Sequence, residues 1–450
     1  MRYILKDNYI LRGWIDNPFG VVDINTGKKY FFTCSEYDVL LHCNGENYIN
    51  NDSYIKQLYA RGFVGIADSN KTITEYQMYK SYKCNNYQTA EIVLTNTCNY
   101  KCRHCYISTP NVKKKELSTG EWFNVINQLV ETGIFQVELT GGECLLRKDF
   151  FQIIDQLIQC NISIVAILSN GSFISSKILY EFEKRGIKPA FQISFDGTEG
   201  NHNWLRNSLD AEKKTIRSIK LLRKYGFSVF VTMTMHKGNK DSLRETVLLL
   251  GKLDIEQLYV GYVTEMGEWL NQNKTYRMNS SEYYDSFLEY IPYYKTDKMP
   301  VNIQLGGIFK YMRHSGKYNI PMKLNKGEIM GRKNVCNISA GKIYITANGS
   351  VLPCPIFTGT EVGKNMPNVF SISLNEILTD SNYLQQAKCT YDDLKEGQTQ
   401  CYKCSFLYEC GGKCHVGNWQ NERQFLIEKE MSCSFFKGGY ETKIQQAWEM

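Results

Sequence analysis

Three cysteines, Cys98, Cys102 and Cys105, follow directly on the apolar run Ile92-Val93-Leu94, and no other feature limits what this chain can fold into so strongly. A short β-branched apolar run reads as a buried strand. Its end must therefore turn and present three thiolates to one metal centre. A cubane of four irons held by three thiolates keeps one iron free for a small chelating ligand. Structural zinc is the alternative, but tetrahedral zinc takes four ligands, usually in paired CxxC spacing. His104, between two of the cysteines, is poorly placed to be the fourth.

At 450 residues the chain is long enough for two or three domains, each with its own core. Its hydrophobic share of 43% and charged share of 22% are those of a soluble globular protein, and no apolar run is long enough to span a bilayer. The opening Met1-Arg2-Tyr3-Ile4-Leu5-Lys6-Asp7 lacks the apolar core of a signal peptide, which predicts a cytoplasmic protein. In that reducing setting, sixteen cysteines with CxxC-type clustering point to metal rather than disulfides. The formal charge of +7 is spread without a long basic block. It reads as a solvated surface or a match for an acidic peptide, with no basic-aromatic stretch to suggest nucleic acid and nothing to suggest a membrane.

Residues 1–85 read as a separate domain. Strands are expected around Tyr3–Leu11, Gly20–Asp23 and Lys29–Phe32, with a turn at Asn25-Thr26-Gly27. A helix capped by Ser35 should run to Cys43, and a second, capped by Asp52, to Tyr59 before Gly62. Over residues 86–300 apolar runs alternate with amphipathic segments, the pattern of an α/β fold with a parallel sheet inside its helices. Six strands are expected: Ala90–Thr95, Gln136–Leu139, Ile162–Leu168, Phe191–Phe195, Ser228–Thr234 and Gln257–Tyr262. Residues 301–335 read as a bridging segment. From 336 to 450 the alternation stops and cysteines recur among turn residues, so ligands rather than a large apolar core should organise this part. Within it, Ile343–Thr346 and Val351–Cys354 form a hairpin signal around Asn348-Gly349.

Short polar motifs fall at the expected strand ends. Gly141-Gly142-Glu143 follows the second strand, with Cys144 after it; Ser169-Asn170-Gly171 ends the third; Ser194-Phe195-Asp196-Gly197 ends the fourth, and Arg206 lies in the helix signal beyond. Taken singly, each reads as a strand-end turn or a surface arginine. In this order, together with Cys98-x3-Cys102-x2-Cys105, they resemble the radical S-adenosylmethionine (SAM) enzymes. The resemblance implies a partial (β/α)6 barrel with its site at the carboxyl ends of the strands. It also implies a [4Fe–4S] cluster on Cys98, Cys102 and Cys105 and a bound SAM cleaved to a 5′-deoxyadenosyl radical. Gly141, Gly142 and Glu143 would meet the methionyl amino group, Ser169, Asn170 and Ser194 the ribose and methionyl groups, and Arg206 the carboxylate. Cys144 departs from the family pattern, which has proline there.

Downstream, Cys336, Cys354, Cys401, Cys404, Cys410, Cys414 and Cys433 resemble the seven-cysteine SPASM pattern. The resemblance implies two auxiliary [4Fe–4S] clusters, three clusters in all. Cys336, Cys354 and Cys414 would hold the first auxiliary cluster, and Cys401, Cys404, Cys410 and Cys433 the second. The first is then one ligand short, a place open to a substrate thiolate, Cys389, His415 or water. Cys34, Cys43, Cys84, Cys144, Cys160 and Cys389 are left over and read as small buried hydrophobes, unless one donates a hydrogen atom in an epimerase.

The N-terminal strands and helix pair resemble the winged-helix-like domain that recognises precursor peptides. A generic cap on the barrel is the plain alternative. The whole order resembles maturases of ribosomally made peptides, with sactipeptide synthases the nearest comparison. The implied reaction is an oxidative crosslink, a cysteine thioether first. Carbon–carbon cyclisation, epimerisation and anaerobic sulfatase maturation follow as alternatives, and a non-catalytic zinc protein that binds peptides stands outside the class. The implied partners are a precursor peptide with its leader and an external electron donor such as flavodoxin or ferredoxin.

Overall fold

The structure is a computed structural model, described here for residues 1–50, 53–68, 70–107, 115–263, 265–306, 309–314, 316–319, 333–358, 360–396, 401, 403–410 and 433–449. Asp52, Cys414 and His415 lie outside these residues. Six parallel strands run in sequence order through the centre: Thr89–Val93, Gln136–Thr140, Ser163–Ser169, Ala190–Ser194, Val229–Met235 and Gln257–Tyr262. All six expected barrel strands are present, their ends displaced by no more than two residues.

The sheet is wider than expected. Asn302–Leu305 pairs in parallel with Gln257–Tyr262, and two short antiparallel strands, Phe309–Met312 and Lys317–Asn319, follow it. The segment read as a bridge therefore begins inside the sheet. On the opposite edge, Lys342–Ile345 pairs in parallel with Thr89–Val93 and continues into the antiparallel Val351–Leu352. The eleven strands form an open sheet, in which the cysteine-rich region is bonded directly to the first barrel strand. The Asn348-Gly349 turn lies where the sequence placed it, with Gly349 at φ +85°.

Helices cover the outside. Ser118 and Glu121 form a capping box at the start of Thr119–Glu131, which buries Trp122, Val125, Ile126 and Leu129 along one stripe. Each such side chain contributes roughly 1.5–3 kcal/mol on leaving water. The helix Ala211–Lys224 buries Thr215, Ser218, Ile219 and Leu222 and leaves a charged face outward. Among the described residues no helix is long and apolar enough to cross a membrane.

In the N-terminal domain, Arg2–Leu5 lies between Asn44–Tyr48 and Val64–Ile66 in a three-stranded sheet. Tyr9–Gly13 belongs to a second sheet of four strands. The single strand expected over Tyr3–Leu11 is broken at Lys6-Asp7-Asn8, where Tyr9 N–H bonds back to the Lys6 carbonyl; Asp and Asn favour that turn. The first helix, Cys34–His42, is capped by Thr33 rather than Ser35, because Glu36 at the third helical position returns the capping bond. Leu5, Leu11, Val21, Tyr37, Leu40 and Leu58 make a core of their own. Trp14 ties the domain to the barrel, its indole N–H donating to the Thr132 carbonyl at 2.9 Å.

The C-terminal region contains more apolar packing than expected. Helix Tyr440–Glu449 lies on helix Ser280–Thr296, with Tyr440 4.8 Å from Tyr284 and Trp448 4.3 Å from Tyr311, centroid to centroid. Of the leftover cysteines, Cys43, Cys84, Cys144 and Cys389 are buried, Cys160 is half-buried and Cys34 is exposed.

Candidate active site at the strand ends

Two glycines set the architecture of the site. Gly142 N–H donates to the Thr95 carbonyl at 2.7 Å and Glu143 N–H to the Thr97 carbonyl at 2.9 Å, so the second strand end lies against the backbone that leads into Cys98. A Cβ on Gly142 would fall 2.5 Å from the Thr97 oxygen and one on Gly141 2.7 Å from the Thr95 oxygen. The close approach that demands glycine here is to the cysteine loop itself.

One cavity of about 280 Å³ is lined by Cys98, Cys102 and Cys105 together with Gly141, Gly142, Ser169, Asn170, Ser194 and Arg206. These residues come from the ends of four different strands and the helix Asn201–Arg206. Glu143 is the exception. Its buried carboxylate accepts from the Ser169 hydroxyl at 3.0 Å and from Asn170 N–H at 2.9 Å, tying the second strand end to the third from behind the cavity wall. Burial pushes Glu143 up to about 7 despite those donors.

Arg206 faces the cavity with its guanidinium already engaged. Nε donates to Asp196 Oδ2 at 2.7 Å, and Nη1 lies 3.8 Å from Cys102 Sγ. Burial opposes the charge on Asp196, but Arg206 and His202 outweigh it and hold the carboxyl well below the usual range. Asp196 also accepts from Thr234 N–H at 2.9 Å, so the pair clamps the fourth strand to the fifth. The Asn170 side-chain amide donates to Asn99 Oδ1 at 3.0 Å and reaches Cys98 Sγ at 3.9 Å.

Burial pushes the Cys98 thiol up to about 11 and raises Cys102 as well, although Arg206 works against the latter. Thiols in such surroundings become thiolates only with a cation among them. Among the described residues, no three His, Cys, Asp or Glu side chains are gathered tightly enough to close around a single metal ion. The three sulfurs are instead spread along one cavity wall. Three cysteines lining one cavity beside a buried arginine suit a cluster with one open iron and a zwitterionic ligand.

Several wall residues were not singled out from the sequence. Glu91, Tyr106, Gln192 and Thr234 also line this cavity, as does His104, which the sequence reading set aside as a zinc ligand. His104, Tyr106 and Thr234 continue into a second cavity of about 220 Å³, closed by Tyr262, Val263, Met266, Pro355 and Ile356. Pro355 and Ile356 directly follow Cys354, so the cysteine-rich region supplies one wall. The Tyr106 hydroxyl lies 3.4 Å from that of Tyr344, and the buried His104 Nδ1 has no hydrogen-bond partner among the described residues. The available signal was position: Tyr106 directly follows the third cysteine, and Glu91 is a charge inside an apolar strand.

Residues 92–250 match the radical SAM superfamily, and residues 336–405 match the iron-sulfur cluster-binding SPASM domain. The AdoMet-dependent heme synthase of Methanosarcina barkeri is 25% identical over 77% of this chain and 95% of its own length. The sporulation killing factor maturation protein SkfB of Bacillus subtilis is 31% identical over 34% of this chain and 37% of its own. The antilisterial bacteriocin subtilosin biosynthesis protein AlbA, also of Bacillus subtilis, is 24% identical over 77% and 71%. Among solved structures, SuiB of Streptococcus suis bound to the precursor peptide SuiA aligns with a TM-score of 0.66 at 14% identity, over 94% of this chain and 98% of that one.

Proposed function

From a radical SAM enzyme with a SPASM domain, bearing SAM and [4Fe–4S] clusters, we infer a maturase that closes a cysteine thioether in a ribosomally made precursor peptide. The observation that carries the reading is a pair of adjoining cavities that share His104, Tyr106 and Thr234 and reach from the cysteine loop to the wall beside Cys354. A substrate there lies between the loop of Cys98, Cys102 and Cys105 and the SPASM hairpin.

Bound at the cavity, SAM supplies a hydrogen-abstracting radical by one-electron cleavage. The protein's part is to orient and to exclude water. Arg206, fixed by Asp196, offers its remaining guanidinium N–H groups to a carboxylate. Asn170 and Ser194 offer polar contacts, and Tyr262, Val263 and Met266 close the space on the apolar side. Each C–S bond requires one hydrogen atom, one thiol proton and one electron to leave the peptide.

The names SkfB and AlbA support a peptide substrate, as does a likeness to SuiB that extends over the N-terminal domain. That domain has an edge strand at Val64–Ile66, on which Ile66 is 60% exposed. An extended leader could pair there through its main chain while its tethered core reaches the barrel. Cys389 lies opposite Val335 beside the Asn334–Thr390 bridge and packs with it and Cys401.

The test is anaerobic incubation of reconstituted enzyme, SAM and reductant with a cysteine-containing peptide encoded beside this gene. A product lighter by two hydrogens, with the cysteine protected from alkylation, supports the reading. Unchanged mass in ordinary water with a deuterium gained in heavy water, or turnover of a heme precursor in its place, overturns it.

A further inference from the structure

The helix Ala211–Lys224 carries Lys213, Arg217, Lys220 and Lys224 at spacings of four, three and four, one continuous stripe along its outer face. All four are exposed. Among the described residues none has a carboxylate within ion-pair distance, and the only acidic side chain within the helix is Glu212. Like charges three and four apart disfavour a helix, and Lys213 sits at the end where the helix dipole disfavours a cation. A stripe that weakens its own helix suits a partner of opposite charge. Arg217 and Lys220 line both of two grooves flanking the helix, one toward Asn203 and one toward Ile174 and Ser175, of about 530 and 450 Å³.

The inner face of the same helix leads to the cysteine loop. Thr215 Oγ donates to the Asn170 carbonyl at 3.2 Å and Ser218 Oγ to the Gly171 carbonyl at 2.5 Å. Asn170 is the residue whose amide reaches Cys98 Sγ. Tyr100, between the cluster cysteines, has Lys214 and Asp210 among its electrostatic neighbours. The outer stripe is thus separated from a proposed cluster ligand by one helix, about 10–12 Å across, and one hydrogen-bonded loop. Two exposed apolar side chains flank the region, Leu209 at 98% and Phe173 at 37%.

We propose that this stripe docks an acidic one-electron carrier, of the flavodoxin type, that reduces the cluster on Cys98, Cys102 and Cys105. The proposal rests on the radical SAM reading and adds the place where the electron enters. The step is a single electron: flavin hydroquinone goes to semiquinone as the cluster gains one electron, with no covalent change in the enzyme. Basic stripe and acidic carrier steer each other together, with an attraction that fades as the Debye length falls to about 8 Å at physiological salt.

The test compares the anaerobic holoenzyme with its R217E/K220E and R217Q/K220Q variants, checked for iron content and circular dichroism. Binding to an acidic bacterial flavodoxin is read by surface plasmon resonance at rising salt. 5′-Deoxyadenosine formation is driven either by reduced flavodoxin or by dithionite. We expect at least tenfold weaker binding and tenfold slower flavodoxin-driven turnover in R217E/K220E, a smaller loss in R217Q/K220Q, and unchanged dithionite-driven turnover. Unaltered flavodoxin binding overturns the proposal. So does a dithionite-driven loss accompanied by a raised KM for peptide, which assigns the stripe to the substrate. Wild-type enzyme without 5′-deoxyadenosine under dithionite would instead overturn the radical SAM reading beneath it.

Discussion

Replacing Lys342 with methionine removes the one cation held between two strand carboxylates. Lys342 Nζ lies 2.5 Å from Glu138 and 3.5 Å from Glu91, whose side chains are 23% and 10% exposed, and Lys342 itself is 24% exposed. Breaking a fully buried pair costs about 3–5 kcal/mol, and exposed pairs contribute under about 1. With a quarter of the lysine in water, the expected loss is roughly 2–3 kcal/mol. Burial already raises Glu91, Lys342 being the main opposing influence, so the variant lifts that carboxyl further. Between the unfolded pKa and the raised folded one, the folded chain holds a proton the unfolded chain has released, and stability falls as pH rises. The deficit of K342M is therefore full at pH 8 and shrinks toward pH 5. Thermal melts of the anaerobic holoenzyme should show a midpoint roughly 2–3 °C lower at pH 8, with most of the gap closed at pH 5. Adding E91Q should recover part of the loss, a coupling of about 0.5–3 kcal/mol in the double-mutant cycle. Equal melting of K342M and wild type at pH 8, or a deficit independent of pH, would refute the argument.

Gly142→Ala places a methyl against the Thr97 carbonyl, so overpacking of about 1–3 kcal/mol and a tenfold or greater fall in 5′-deoxyadenosine formation are expected; retained activity with normal iron content would refute the close approach. Arg206→Met strands the buried Asp196 and should cost about 3–5 kcal/mol in denaturant melts, while R206M/D196N recovers much of the stability and none of the SAM affinity measured by equilibrium dialysis. Cys102→Ala should remove one cluster's iron, about four atoms per chain by colorimetric assay, and abolish cofactor cleavage; loss of a single metal atom would revive the zinc alternative. Tyr106→Phe, which removes only a hydroxyl facing Tyr344, should leave iron content unchanged and raise the peptide KM more than it lowers kcat.

The barrel was legible because its strands are short and apolar and alternate with amphipathic segments. The cavity was legible because cysteines and glycines tolerate few substitutes at a crowded strand end. Less visible was what depends on partners distant in sequence. Glu143 stands beside two glycines in the sequence, and its hydrogen bonds from Ser169 and Asn170, 26 and 27 residues on, are not marked there. Asp196 reads as a turn residue, yet it is the fixed anion that orients Arg206. Asn302–Leu305 shows the period-two alternation Val301, Ile303, Leu305, but with no helix signal after it nothing marks it as a further barrel strand. The basic stripe on Ala211–Lys224 reads as solvated charge until the fold sets its inner face against Asn170 and Gly171.

The pairing of Lys342–Ile345 with Thr89–Val93 accounts for more of the site than the cysteine spacing alone. Side chains alternate along a strand, and Ile343 and Ile345 enter the barrel's main core while Lys342 and Tyr344 face the other way, toward Glu91, Glu138 and Tyr106. A slip of one residue would turn Lys342 and Tyr344 outward and bury their neighbours in the cavity. The register Tyr344↔Glu91 is therefore fixed twice, by apolar burial on one face and by an ion pair on the other. Because the turn at Asn348-Gly349 returns the chain from that strand, the register also sets where Cys354, Pro355 and Ile356 meet the cavity. The spacing between the cysteine loop of the barrel and the SPASM hairpin is then a property of hydrogen-bonded sheet rather than of a linker. Sheet pairing rather than a linker thus sets which side chains, among them His104, Tyr106, Tyr262 and Met266, line the space beside that hairpin.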